Sequence, residues 1–259
     1  MTVPPRLALP DVTLCAITSV NVEATVAALQ RCLSAVDFAE CLLFTDLPVD
    51  KPGIRVVPIP SLDSAEAYSL FILRELPAHI RTNHVLTVQW DGFILNSAAW
   101  RAEFLDYDYV GATWPQFQSG NRVGNGGFSL RSKRLLQACL DPSFRASHPE
   151  DLAVCRENHA LLVERHGLRF AEEDVADRFA YERTRVRGPT FGFHGVFNMP
   201  DALGLDGFWD VYQSLDERSA LKPDFLRLAC RVLGGKGGPR RVATMLRDRW
   251  YRPQQPFAR

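Results

Sequence analysis

Short apolar runs rich in β-branched residues alternate along the first third of the chain with longer stretches of helical periodicity. "VTLCAITSVN" (12–21) starts as an apolar strand and ends in small polar residues. "VEATVAALQRCLSAV" then places Val22, Val26, Leu29, Leu33 and Val36 on one face, which predicts an amphipathic helix with Asn21 as its N-cap. "CLLFT" (41–45), "IRVVPI" (54–59) and "HVLTV" (84–88) read as strands, and "SAEAYSLFILREL" (64–76) as a helix. This alternation predicts an α/β fold with a Rossmann-like, mostly parallel central sheet flanked by helices. Beyond Asp91 the regularity weakens. A helix is predicted over 98–105 and a strand over 107–115. A Gly- and Asn-rich loop covers 116–127, a strand 128–132, and a helix starts at Lys133. The reading divides the chain into a main domain, 1–204, and a helical, basic C-terminal extension, 205–259.

Composition narrows the function classes. Lys plus Arg and Asp plus Glu both number 30, so no net field points to nucleic acid. The six cysteines, at positions 15, 32, 41, 139, 155 and 230, form no CxxC pair. Several fall in apolar runs, as small core residues of a reducing compartment do. "MTVPPRLALP" lacks the apolar stretch of a signal peptide, and no apolar run reaches the 18 residues of a membrane span. The expected location is the cytoplasm, with peripheral attachment to the inner face of the membrane as an option. That option rests on the last forty residues. There Arg227, Arg231, Lys236, Arg240, Arg241, Arg247, Arg249, Arg252 and Arg259 meet only Asp224 and Asp248. "GGKGGP" (234–239) breaks the chain, and "RRVATMLRDRWY" reads as a short basic amphipathic helix. It is either a membrane or protein contact or a solvated face.

Five stretches carry candidate chemistry. "QWDGFI" (89–94) puts Asp91 just past a buried strand, where open α/β sheets bind ligands; Asp-Gly is equally a turn pair. "AITSVN" offers Thr18, Ser19 and Asn21 at the same kind of edge, or simply caps a helix. "VGNGGFSLRS" (123–132) permits close backbone approach to a polar ligand such as a sugar; Asn-Gly is also a hairpin signal. In "HPEDLAVC" (148–155), Ser147 and Glu150 fit a capping box, which leaves Asp151 as the freer carboxylate. In "FGFHG" (191–195), His194 is either a satisfied core residue or a metal ligand.

In order, "VQWDGFILN", "FLDYDYVGATWP", "VGNGGFSLRS", "PEDLAVC" and "FGFHGVFN" resemble the GT-A class of nucleotide-sugar glycosyltransferases. More narrowly, they resemble a glycosyltransferase-like family of bacterial surface-polysaccharide loci. The resemblance runs from about Val12 to Pro200. It implies a GT-A-like domain that moves a hexose-type sugar from a nucleotide-diphosphate donor to a hydroxyl of a glycan or lipid-linked glycan, inverting favoured. Asp91 would take the last acidic position of an Asp-x-Asp motif and, with His194, hold Mn²⁺ or Mg²⁺. Thr18, Ser19, Asn21, Tyr68, Gln89 and Gly92 would complete the donor side. Trp114, Asn125, Gly126 and Gly127 would meet the sugar or acceptor, with Trp114 stacking on it. Asp151 would be the catalytic base, beside Glu150. One departure stands out: Gln89 occupies the first acidic position, which supports the alternative of a catalytically silent nucleotide-sugar or glycan-binding module. A carboxylate-pair hydrolase fits less well, because Glu150 and Asp151 are adjacent and do not flank a sugar from opposite sides.

Overall fold

A computed structural model describes residues 6–184 and 188–250, with only the backbone of Trp250. Arg252 and Arg259 of the basic tail lie outside the described residues. Contacts divide the chain into two units, 1–194 and 195–259.

The first unit starts with β1 (Leu7–Ile17), α1 (Val22–Ala35), β2 (Val36–Thr45) and β3 (Arg55–Pro58). Next come α2 (Ala65–Leu70), β4 (His84–Val88) and β5 (Gly92–Ile94). Four short strands follow: β6 (Tyr109–Val110), β7 (Ala112–Thr113), β8 (Val123–Gly124) and β9 (Phe128–Ser132). The unit closes with α3 (Lys133–Ala138), α4 (Glu150–Leu152), α5 (Glu173–Phe179), β10 (Ala180–Tyr181) and β11 (Gly192–His194). The central sheet has the order β3-β2-β1-β4-β9-β6. β3, β2, β1 and β4 run parallel, and β9 pairs antiparallel with β4 and β6. The α/β class, the mostly parallel sheet and the flanking helices are therefore as the sequence predicted. β4 and β9 are buried along their whole length, as is the C-terminal half of β1, because elements cover both faces of the sheet. Cys15, Cys32, Cys41, Cys139 and Cys155 are free and buried, and Cys230 is free and exposed.

Several local expectations are corrected. Residues 98–105 form no α-helix. They make two 3₁₀ turns, Ser97–Ala99 and Ala102–Asp106. The predicted 64–76 helix is helical only to Leu70 and widens into a π turn over Phe71–Glu75. Asn21 stands at the N-cap of α1 with a positive φ of 52°, but its side chain caps no first-turn amide. The capping box is absent too. Pro149 precedes the helix and Ser147 Oγ donates to Glu157 Oε2. Asn125-Gly126 makes no hairpin between β8 and β9. β8 pairs with β7 and β9 with β6, so 123–132 faces 109–113 as one interrupted strand whose residues 125–127 bulge out.

In the second unit, α6 (Met199–Ser214) is interrupted at Gly204, whose φ of 71° is not helical. α7 (Phe225–Leu233) and α8 (Gly238–Trp250) follow and pack on each other. Among the described residues no helix is long and apolar enough to cross a membrane.

Candidate active site

The order β3-β2-β1-β4 reverses direction between β1 and β4, and open sheets bind ligands beyond the C-terminal ends of such a strand pair. β1 delivers Thr18 and Ser19 to that edge, and β4 delivers Gln89, Trp90 and Asp91. Gln89 to Gly92 form a tight turn, closed by Gly92 N donating to Gln89 O at 3.1 Å. The turn sends the chain into β5, which pairs antiparallel with β11 and sets His194 opposite Gly92. Turn and site are thus the same four residues.

His194 organises this corner. Its Nε2 lies 3.3 Å from Asp91 Oδ1 and 3.2 Å from Gln89 Oε1. Its Nδ1 lies 3.5 Å from Glu182 Oε1. Gln89 Nε2 donates to the Tyr68 hydroxyl at 2.9 Å. Asp91 is only 6% exposed. Burial opposes a charge on His194, but Asp91 and then Glu182 outweigh it and hold the imidazole up at about 10. Glu182 faces Nδ1 from the side where a carboxylate commonly backs a metal-bound histidine, and Nε2 is turned toward Asp91 and Gln89.

The donor set can be tested for a divalent cation. Two ligands held at about 2.1 Å in octahedral geometry lie about 3 Å apart, close to the separations seen around Nε2. Among the described residues no group of three or more His, Cys, Asp or Glu side chains is placed to hold a metal. Asp91 therefore offers a carboxylate, His194 a ring nitrogen once a cation displaces its proton, and Gln89 a neutral oxygen. That suits a cation that accepts mixed oxygen and nitrogen ligands, as Mn²⁺ does, with its remaining positions going to phosphate oxygens and water.

The bulge over 125–127 links this corner to Asp151. Gly126 N donates to Asp151 Oδ2 at 3.1 Å. A Cβ on Gly126 would stand 1.9 Å from Glu150 Oε1, and one on Gly127 2.0 Å from His194 Nε2. A side chain at either position would force Glu150 or His194 to move. The bulge is held by Tyr109 Oη donating to Asn125 O at 3.1 Å and by Gly127 N donating to Asn125 Oδ1 at 3.0 Å. Asp91, His194 and Asp151, up to 103 residues apart in sequence, thus meet around two consecutive glycines.

The two adjacent acids have different environments. Glu150 is locked to Arg131 at 2.8 Å. Arg131 is 1% exposed, and its Nε donates to Ser129 Oγ while its guanidinium lies over the Tyr109 ring. Glu150 is thereby a structural anchor rather than a free carboxylate. Asp151 accepts from Gly126 N and, through Oδ1, from Leu152 N at 2.8 Å. Burial first, and the Glu150 charge second, raise its carboxyl from 3.8 to about 6, against the pull of those two amides.

Other sequence candidates have structural duties. Thr18 Oγ1 donates to Val20 O, and Ser19 Oγ accepts from Leu62 N at 2.9 Å, pinning the loop before α2. Trp114 is buried in the core beside Phe117, its ring against Gly124, so it presents no free stacking face. Asn125 is buried, with Nδ2 unsatisfied among the described residues. Sequence reasoning missed Arg131 and Glu182. An arginine inside an apolar strand was a usable signal, since such a charge needs a buried partner; nothing in "AYERT" marks Glu182. A separate cavity of about 510 Å³, lined by Trp100, Arg101, Asp177, Arg178 and neighbours, shares none of the site residues.

A family of proteins of unknown function, DUF5672, matches residues 53–194. The chain belongs to this family. The DUF5672 region contains the 89–92 turn, the bulge, the Glu150–Asp151 pair and His194. No curated protein matches the sequence. Among solved structures, this one is similar to the mannosyltransferase PcManGT from Pyrobaculum calidifontis, determined in complex with GDP-Man and Mn²⁺. Identity is 14%, the match covers 98% of this chain and 80% of that one, and the TM-score is 0.43.

Proposed function

We propose that the chain is a GT-A-type, nucleotide-sugar-dependent glycosyltransferase. In this reading it transfers a sugar from a nucleoside-diphosphate donor to a hydroxyl of a glycan or lipid-linked glycan, with inversion, in bacterial polysaccharide synthesis. The observation that carries the reading is the meeting of Asp91, His194 and Asp151 at the 125–127 bulge, beside the sheet's ligand edge. Asp91 and His194, with Gln89, would hold Mn²⁺ or Mg²⁺, which when bound supplies positive charge to a leaving diphosphate. Asp151 is the base. Its carboxylate takes the proton of the acceptor hydroxyl while the acceptor oxygen bonds to the anomeric carbon. The bond from that carbon to the diphosphate breaks, and its electron pair leaves with the diphosphate. The amides of Gly126 and Leu152 hold the carboxylate in place, and a pKa near 6 leaves it ionised yet basic at neutral pH. The Arg131–Glu150 pair fixes the segment that carries it.

The test is release of nucleoside diphosphate from a panel of nucleotide sugars, with and without acceptor glycans. Asp151→Asn is expected to lower turnover about 10²- to 10⁴-fold with donor affinity nearly unchanged. Unaltered turnover in that variant refutes the base assignment. A second reading, a silent nucleotide-sugar or glycan-binding module, is favoured by Gln89 at the first position of the acidic motif. It predicts donor binding with no release of nucleoside diphosphate from any donor.

A further inference from the structure

Helix α7 leaves an apolar stripe uncovered. Phe225, Leu228, Ala229 and Val232 are buried. Leu226, Cys230 and Leu233, at i, i+4 and i+7, share the outward face. Leu226 is 77% exposed and Leu233 52%. Arg227 stands beside the stripe and Lys222 at its start. α8 repeats the pattern: Met245 is buried, while Leu246 is 44% exposed next to Arg247 and two turns beyond Arg240. From Lys222 to Arg249 the chain carries eight Lys or Arg and two Asp. Arg231 and Arg241 are matched by Asp201 and Asp206, and Arg247 by Asp248. Among the described residues, Lys222, Arg227, Lys236, Arg240 and Arg249 have no carboxylate within salt-bridge distance.

From this juxtaposition we propose that the second unit docks on the surface of an anionic lipid bilayer. Leu226, Leu233 and Leu246 would enter the boundary between headgroups and acyl chains, and the cations without a salt bridge, of which Arg227 and Arg249 lie over the Phe197 and Phe225 rings, would lie among the headgroups. The nine residues of α7 rise only about 13 Å, so the helix lies on such a surface and does not span it. Charge complementarity selects the occupant. Exposed leucines alone would suit another protein or a second copy equally. A second copy would set the same excess of cations against itself, whereas an anionic surface satisfies leucines and cations together.

The experiment is co-sedimentation of the full chain with phosphatidylcholine vesicles, with and without phosphatidylserine, at low and physiological salt. Binding to the phosphatidylserine vesicles is expected, weaker at physiological salt, with little on phosphatidylcholine alone. Leu226→Glu combined with Leu233→Glu should weaken it about tenfold or more. Arg227→Gln combined with Arg240→Gln should weaken it about fivefold per charge. The glutamate pair should melt like the wild type, since its side chains are exposed, and the arginine pair within a few degrees of it, since Arg227 gives up only its place over the Phe197 ring; if the glutamate pair fails to fold, the arginine pair decides. Absent or lipid-independent binding overturns the proposal, as do variants that bind like wild type. A wild-type dimer that Leu226→Glu dissociates also overturns it and assigns the stripe to a second copy.

Discussion

Replacing Asp151 by asparagine should stabilise the protein at neutral pH while it disables turnover. Burial and the neighbouring Glu150 raise the Asp151 carboxyl from 3.8 to about 6. Holding a carboxyl there makes its ionised form about 3 kcal/mol costlier in the folded chain than in the unfolded one. The sign follows from proton linkage. The folded state binds this proton more tightly, so the stability it lends is complete below about pH 4 and is lost as pH rises through about 6. Asparagine is neutral throughout and escapes that loss. It keeps a single carbonyl oxygen for the amides of Gly126 and Leu152, which costs about 1 kcal/mol. The net expectation is a gain of about 1–2 kcal/mol at pH 8, or about 2–8 °C in melting temperature. At pH 5 the gain should fall to under about 1 kcal/mol, and near pH 4, where the unfolded carboxyl also takes up its proton, it should vanish or reverse. Urea unfolding at pH 8 and pH 4 measures it. A variant less stable than wild type at pH 8, or a difference independent of pH, would refute the reasoning that the site strains this carboxylate.

Three further outcomes are expected. Gly127→Ala puts a Cβ 2.0 Å from His194 Nε2, so the imidazole must move; calorimetry should show loss of metal-dependent nucleoside-diphosphate binding, and wild-type affinity would contradict the packing. Arg131→Met leaves Glu150 buried without its cation and should cost about 3–5 kcal/mol in chemical denaturation; a cost under about 1 kcal/mol would mean that the pair anchors nothing. Donor turnover at saturation should rise as pH passes through about 6 and level off above it, because only the ionised Asp151 accepts a proton; a rate that falls over that range argues for a different base.

Much of the fold was legible because buried parallel strands are short apolar runs and their helices have an apolar face. "HVLTV" and the α1 segment carried those signals without interference. Legibility failed where backbone partners, not side-chain periodicity, set the conformation. The apolar spacing of 98–105 looked helical, yet the segment makes two 3₁₀ turns. Asn125-Gly126 had hairpin chemistry, but Tyr109 and Asp151 hold it as a bulge. Ser147 and Glu150 had capping-box spacing, but Arg131 claims the glutamate. Among the candidates that the structure brings together, Asp91 and His194 could be placed by their positions at strand ends and Asp151 by its place at a helix start, with their roles taken from the resemblance. Trp114 could not be judged, since an aromatic before a proline reads alike in a core and at a sugar. Glu182 was invisible because its role depends on β10 and β11 lying side by side.

The central claim is that Asp91 and His194 form the metal-dependent end of a nucleotide site. Its most direct test is titration calorimetry of the full chain with a panel of nucleoside diphosphates, with and without Mn²⁺. The account predicts that at least one binds the wild type only with the cation present, and that both Asp91→Ala and His194→Ala abolish the heat. Binding that ignores Mn²⁺, or that survives either substitution, would contradict it.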